Sequence, residues 1–136
     1  MNDIQLEGEQ LFATYLDSWN AQNFAGISAC YSEPCQFVTP AGVASLSNRA
    51  EFVAFLTKLF AGLNDGGFSH STAGRISAVK CNKNLAIMDV SNVKRLKGDG
   101  SVLEEIDAHY ILTATDDGWK FAAAIVCEPG WRENTE

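Results

Sequence analysis

Positive charge is what this sequence is short of. Ten Lys and Arg stand against seventeen Asp and Glu, for a formal charge of -7. The densest basic cluster is Lys94, Arg95 and Lys97, beside a GDG turn. Phosphate backbones recruit proteins through concentrated Lys and Arg, so neither nucleic acid nor an anionic membrane is an expected partner. Long apolar runs are missing too, and no stretch reaches the length that spans a bilayer. The opening MNDIQLEGEQ is polar and acidic, without the charged start and apolar run of a secretory leader, so none is expected. Histidine is scarce, with His70 and His109 alone. The four cysteines, Cys30, Cys35, Cys81 and Cys127, contain no C-x-x-C pair. A zinc site is therefore not expected, and nothing calls for another metal or an organic cofactor. The expectation is a cytoplasmic protein with reduced thiols.

What is present falls into two halves, which together make one expected domain over residues 1–136. From Ile4 to Asn20, Leu11, Phe12, Tyr15, Leu16 and Trp19 form the stripe of an amphipathic helix. A short helical piece, FAGISACY, comes next. Then comes a strand-like run, CQFVTPAG, with Pro34 and Pro40 around it. A second long helix is expected from about Arg49 to Leu63, on the stripe Phe52, Phe55, Leu56, Leu59, Phe60 and Leu63. Asn48 with Glu51 gives it a start signal, and NDGG at 64–67 a stop. Beyond that the period becomes alternating. FSHSTAGRISAVK, NLAIMDVSNVKRL, SVLEEIDAHYILTAT and GWKFAAAIVCEP read as strands joined by Gly-, Asn- and Asp-bearing turns. Helices first and strands after is an α+β pattern, with an antiparallel meander covered by helices on one face.

The strand faces can be assigned from alternation. Ile106, Ala108, Tyr110, Leu112 and Ala114 are the apolar set of their strand and should face the helices. Asp107, His109 and Ile111 fall on the opposite face, at solvent or a dimer seam. In the last strand Trp119, Phe121, Ala123, Ile125 and Cys127 form the bulkier set.

The order of elements, led by YLDSWNAQNFAGISACYSEPCQFVTPAG and closed by a GWKF-type hairpin, resembles the nuclear transport factor 2-like superfamily. That group includes ketosteroid isomerases, polyketide-cyclase-like enzymes and many proteins without known activity. The resemblance implies a cystatin-like, cone-shaped fold: a strongly bent antiparallel sheet wrapped around N-terminal helices, with a pocket at its open end. It also implies a homodimer through the outer sheet face and, in the pocket, a small apolar molecule.

The resemblance further implies site residues. The first-helix tyrosine of ketosteroid isomerase matches Tyr15, and its catalytic carboxylate matches Thr39. Its protonated acid matches Tyr110, or Asp107 if the strand is bulged. A threonine hydroxyl has no useful basicity at neutral pH, so Thr39 removes isomerase-type chemistry at that position. His70, expected on an inward face with Phe68 and Thr72, is the candidate replacement base, in a setting similar to that of polyketide-cyclase-like members. Trp19, Phe68 and Met88 are candidates for the pocket wall. The plainer reading of Tyr15, Trp19 and Met88 is core, that of Thr39 a strand end, and that of His70 a polar residue near a strand end. Three functions stay open: a ligand-binding protein; an isomerase-, cyclase- or dehydratase-like enzyme using His70 with Tyr15 or Tyr110; and a dimeric interaction domain. On the Thr39 match, the protein should not isomerise a 3-oxo-steroid, and Thr39→Asp should restore some activity only if Tyr15 already donates to the carbonyl. Measurable wild-type turnover would overturn this reading of Thr39.

Overall fold

The computed structural model describes residues 3–133. Helix α1 (Ile4–Asn20) starts where Asp3 accepts the Leu6 N–H, and α2 (Phe24–Ala29) where Asn23 accepts the Gly26 N–H. Strands β1 (Tyr31–Thr39) and β2 (Gly42–Leu46) form a hairpin. Helix α3 (Arg49–Asp65) comes after it. Its cap is reciprocal: Asn48 Oδ1 accepts the Glu51 N–H at 3.0 Å, and Glu51 Oε1 accepts the Ser47 N–H at 2.8 Å. The remaining strands are β3 (Phe68–Thr72), β4 (Ile76–Asn82), β5 (Leu85–Lys97), β6 (Val102–Thr115) and β7 (Gly118–Cys127).

All seven strands belong to one curved, unclosed sheet, in the order β2-β1-β7-β6-β5-β3 with β4 also on β5. The pairing is antiparallel except between β1 and β7, which run parallel. The sheet is thus antiparallel, as expected, with one parallel pairing that the sequence did not show. The cause is the route of the chain, which leaves β1 through β2 and α3 and returns to its far side only with the last strand. The fold is α+β and cystatin-like, with the three helices on the concave face. Phe12, Tyr15 and Trp19 of α1 meet Phe52, Leu56 and Phe60 of α3 and the inward residues of the sheet in a single core.

Four irregularities help decide which side chains face that core. The expected strand FSHSTAGRISAVK is two strands. Between them the Gly74 N–H donates to Ser91 O, so close that a Cβ on Gly74 would lie 2.8 Å from that oxygen. In β5 the register shifts between Val90 and Val93, with Asn92 at φ 55. In β3 it shifts between Phe68 and His70. A further shift in β6–β7 pairing puts Phe121, Ala124 and Val126 opposite Leu112, Tyr110 and Ala108. The inward set of β7 is therefore not the alternating set expected from its bulk. Bulges of this kind add one residue and reverse the facing of the rest of the strand.

After β7 the chain folds back over the outer face. The Gly130 N–H donates to Asp107 Oδ2, Trp131 stands edge-on to His109, and Arg132 pairs with Asp89 at 3.1 Å. His109 Nδ1 lies 2.6 Å from the same Asp89. Beside this cover, Val79, Ile87 and Ile111 form an exposed apolar row across β4, β5 and β6.

Leu56 is fully buried between α3 and the sheet. Leu56→Ala should cost about 2–5 kcal/mol and lower the melting temperature accordingly. A melt that barely moves would contradict the placement.

Candidate functional site

The helices and the concave sheet face enclose a narrow cavity. Phe12, Tyr15, Leu16 and Trp19 line it from α1, Phe37 from β1, and Ser71 from β3. Val93, Arg95, Ile106, Ala108, Tyr110 and the end of β7 complete it. The void is about 30 Å³, room for a water or two as it stands, within a cleft of about 440 Å³ that includes its opening to solvent. Aromatic side chains make it narrow. The Tyr15 ring has Phe12, Trp19, Tyr31, Tyr110 and Phe121 edge-on around it at 5.1–6.2 Å.

All three tyrosines of the chain meet here. The Tyr31 hydroxyl donates to the Tyr15 hydroxyl across 3.3 Å. Burial pushes the Tyr15 phenol from 10 to about 12, against the lowering pull of hydrogen bonds from Tyr31 and Tyr110 and of the Arg95 charge. Burial also raises Tyr31 and Tyr110 well above 10, and each is raised further by the neighbouring Tyr15. At neutral pH all three are O–H groups, able to donate and not to act as bases.

Arg95 is the one charged side chain on the cavity wall among the described residues. It is 9 % exposed and sits with its Cζ 5.3 Å from the Trp19 ring centroid. Its Nη1 donates to Glu104 Oε1 at 2.9 Å, from the residue directly opposite on β6. Across the other edge it faces Ser71. Ser71 is held by Asn20, whose side chain accepts the Ser71 N–H at 2.7 Å and donates to Ser71 O at 3.0 Å. Ser71 Oγ and Trp19 Nε1 are buried with no partner among the described residues.

The structure brings Tyr15, Tyr110 and Trp19 to one cavity and leaves the other candidates elsewhere. His70 is exposed and contacts Ser69 Oγ at 3.1 Å, because the β3 bulge turns Ser71 inward in its place. Thr39 shares a strand face with Phe37 but lies nearer the turn. It lines a separate surface hollow, and its Oγ1 accepts the Ala41 N–H. Thr39 is not among the residues of the cavity wall. Phe68 is buried against Phe60, and Met88 is fully buried in the core, both off the cavity wall. Asp107 points to the outer face, where it accepts the Asn92 and Gly130 N–H groups. Sequence reading missed Tyr31, Ser71 and Arg95. The signal for Arg95 was the three-residue step from Val90 to Val93, which breaks the alternation and carries Arg95 inward with Val93.

The profile of the family described as NTF2-like protein (DUF6841) matches residues 7–129. This chain belongs to that family. No curated protein matched. Solved structures give the same fold for this NTF2-like protein. A domain of unknown function with a cystatin-like fold from Nostoc punctiforme superposes with a TM-score of 0.73 at 21% identity, over 98% of this chain and 83% of that one. A protein from Catenulispora acidiphila in complex with S-DNPA gives 0.74 at 17%, over 98% of both chains. ActVI-ORFA from Streptomyces coelicolor gives 0.76 at 15%, over 92% of this chain and 97% of that one. At such identities the likeness establishes architecture alone.

The raised tyrosines set a pH dependence. A phenol raised in the folded state holds its proton where the unfolded chain would release it. Its contribution to stability is complete below pH 10 and is lost as the pH climbs toward about 12. Denaturation at a series of pH values should show stability falling over that window, with tyrosinate absorbance appearing together with unfolding. Tyrosinate formed near pH 10 in a protein with native circular dichroism would contradict the burial of the cluster.

Proposed function

We propose that this NTF2-like protein binds a small, largely apolar molecule carrying a carbonyl or hydroxyl oxygen, and that Tyr15, with Tyr110 behind it, meets that oxygen. One observation carries the reading. The Tyr15 hydroxyl borders an apolar-walled cavity while it already accepts from Tyr31, so its single proton is left to donate. Apolar walls with a few convergent polar groups are the usual make-up of a small-ligand site. The Catenulispora acidiphila protein, of the same fold, holds a small molecule. The isomerase-, cyclase- or dehydratase-like alternative draws on His70, whose exposed position off the cavity wall gives it no support. Free thiols at Cys30, Cys35, Cys81 and Cys127 fit the cytoplasmic setting proposed with this function.

The narrowness of the void favours a second reading, a dimeric interaction domain whose pocket has closed around aromatics. The two readings separate in one titration. Acetophenone, an aryl ketone, should bind the wild-type protein in calorimetry, and Tyr15→Phe should weaken it by about 0.5–1.5 kcal/mol. Absence of binding by acetophenone and by phenol would sink the first reading in favour of the second.

A homodimer remains part of the proposal. With Asp89, Asp107 and His109 covered by the C-terminal segment, the row Val79, Ile87 and Ile111 is the surface an isologous contact would use. Light scattering at micromolar concentration should report a dimer that Ile111→Asp dissociates. A monomer mass for the wild type removes the idea.

A further inference from the structure

The polar groups on the cavity wall share one property: each of them has a proton to donate. Tyr15 has its free phenolic proton, Trp19 Nε1 can only donate, and Ser71 Oγ is unpartnered among the described residues. Arg95 presents five N–H groups. Among the described residues its side chain has a single hydrogen bond, to Glu104, whose own side chain is 47 % exposed. No Asp, Glu or His lines the cavity among the described residues. The donors are also fixed in place. Ser71 and Arg95 are directly paired across β3 and β5, so their side chains leave the sheet together. The guanidinium lies over Trp19, and Asn20, the next residue of α1, clamps the backbone of Ser71.

We propose that Arg95, Ser71 and Trp19 form an oxyanion subsite, and that the molecule this protein takes up is a compact planar carboxylate. The carboxylate would accept from Arg95, Ser71 Oγ and Trp19 Nε1, and its flat apolar body would lie along Phe12, Phe37 and Tyr110. A carboxylate supplies only acceptors, and its fork matches a guanidinium. Bound water can satisfy Ser71 and Trp19, but on the cavity side it adds no charge to Arg95, whose counter-charge, Glu104, lies toward solvent and is itself half-exposed. The void of about 30 Å³ suits the carboxylate head, with the ring toward the opening of the cleft to solvent. This inference rests on the ligand-binding proposal and narrows the ligand from any oxygen-bearing molecule to an anion.

The test is calorimetric titration of the full chain at neutral pH with benzoate and with benzamide, its uncharged counterpart of similar shape. Benzoate should bind about tenfold more tightly, the difference expected of one hydrogen bond to a charged partner. Arg95→Met should abolish the preference while benzamide still binds. Glu104→Gln, which keeps an acceptor oxygen for Arg95 and removes the competing charge, should tighten benzoate and leave benzamide unchanged, with its fold checked by circular dichroism. Equal affinities in the wild type mean a site for neutral ligands or water, and overturn the subsite while the binding proposal stands. A preference that survives Arg95→Met overturns it as well. If Arg95→Met does not fold, unchanged benzoate affinity in Glu104→Gln is the overturning result. Failure of both ligands to bind rejects the subsite, and failure of acetophenone too rejects the pocket with it.

Discussion

Successive side chains of a strand point to opposite faces, so one inserted residue reverses every position beyond it. The interior of this protein depends on that constraint at two places. The shift at Asn92 lets Val90, Val93 and Arg95 all face the helices. The shift after Phe68 lets Ser71 face them in place of His70. Asp107 holds the first of these from behind, accepting the Asn92 N–H on one oxygen and the Gly130 N–H on the other. A carboxylate on the outer face thus helps fix the direction of a cation on the inner one.

A buried cation is costly unless its surroundings compensate it. Arg95 has Glu104 at the solvent side and the Trp19 face beneath it. Trp19 reaches that position because α1 also delivers Phe12 and Tyr15 along the same stripe, three and four residues apart. The rings that narrow the cavity are the rings that raise the tyrosines, since the exclusion of water that packs them also disfavours phenolate. The same burial that keeps the hydroxyls as donors leaves little empty space. On the ligand-binding proposal, the molecule taken up here is therefore slim and rich in acceptors.

Much of the architecture is legible in the sequence. The spacing of Phe52, Leu56 and Phe60 marks α3, and Asn48 marks its start. Unbroken alternation from Ile106 to Leu112 places Tyr110 toward the helices. The three-to-four spacing on α1 aligns Tyr15 with Trp19. What fails is parity beyond an inserted residue. Counting from Phe68 along a regular strand turns His70 inward, and sorting the last strand by bulk runs across its own irregularity. Thr39 has the right face and the wrong depth, since alternation says nothing about how far along a strand the cavity ends. Arg95 hides among three basic residues near a turn, which look like a solvated cluster. Charge counting carries no information on direction, and only the step from Val90 to Val93 does.

The central question is whether the unpartnered donors of the cavity wall meet an acceptor. The chain has three tryptophans, Trp19, Trp119 and Trp131, whose indole N–H signals can be resolved by nitrogen–proton correlation NMR and assigned by single Trp→Phe variants. On titration with benzoate, the Trp19 signal should move progressively toward the hydrogen-bonded position and saturate, with Trp119 and Trp131 nearly still. A Trp19 signal that stays in place while the others move, or while benzoate demonstrably binds, would contradict an acceptor at the cavity wall.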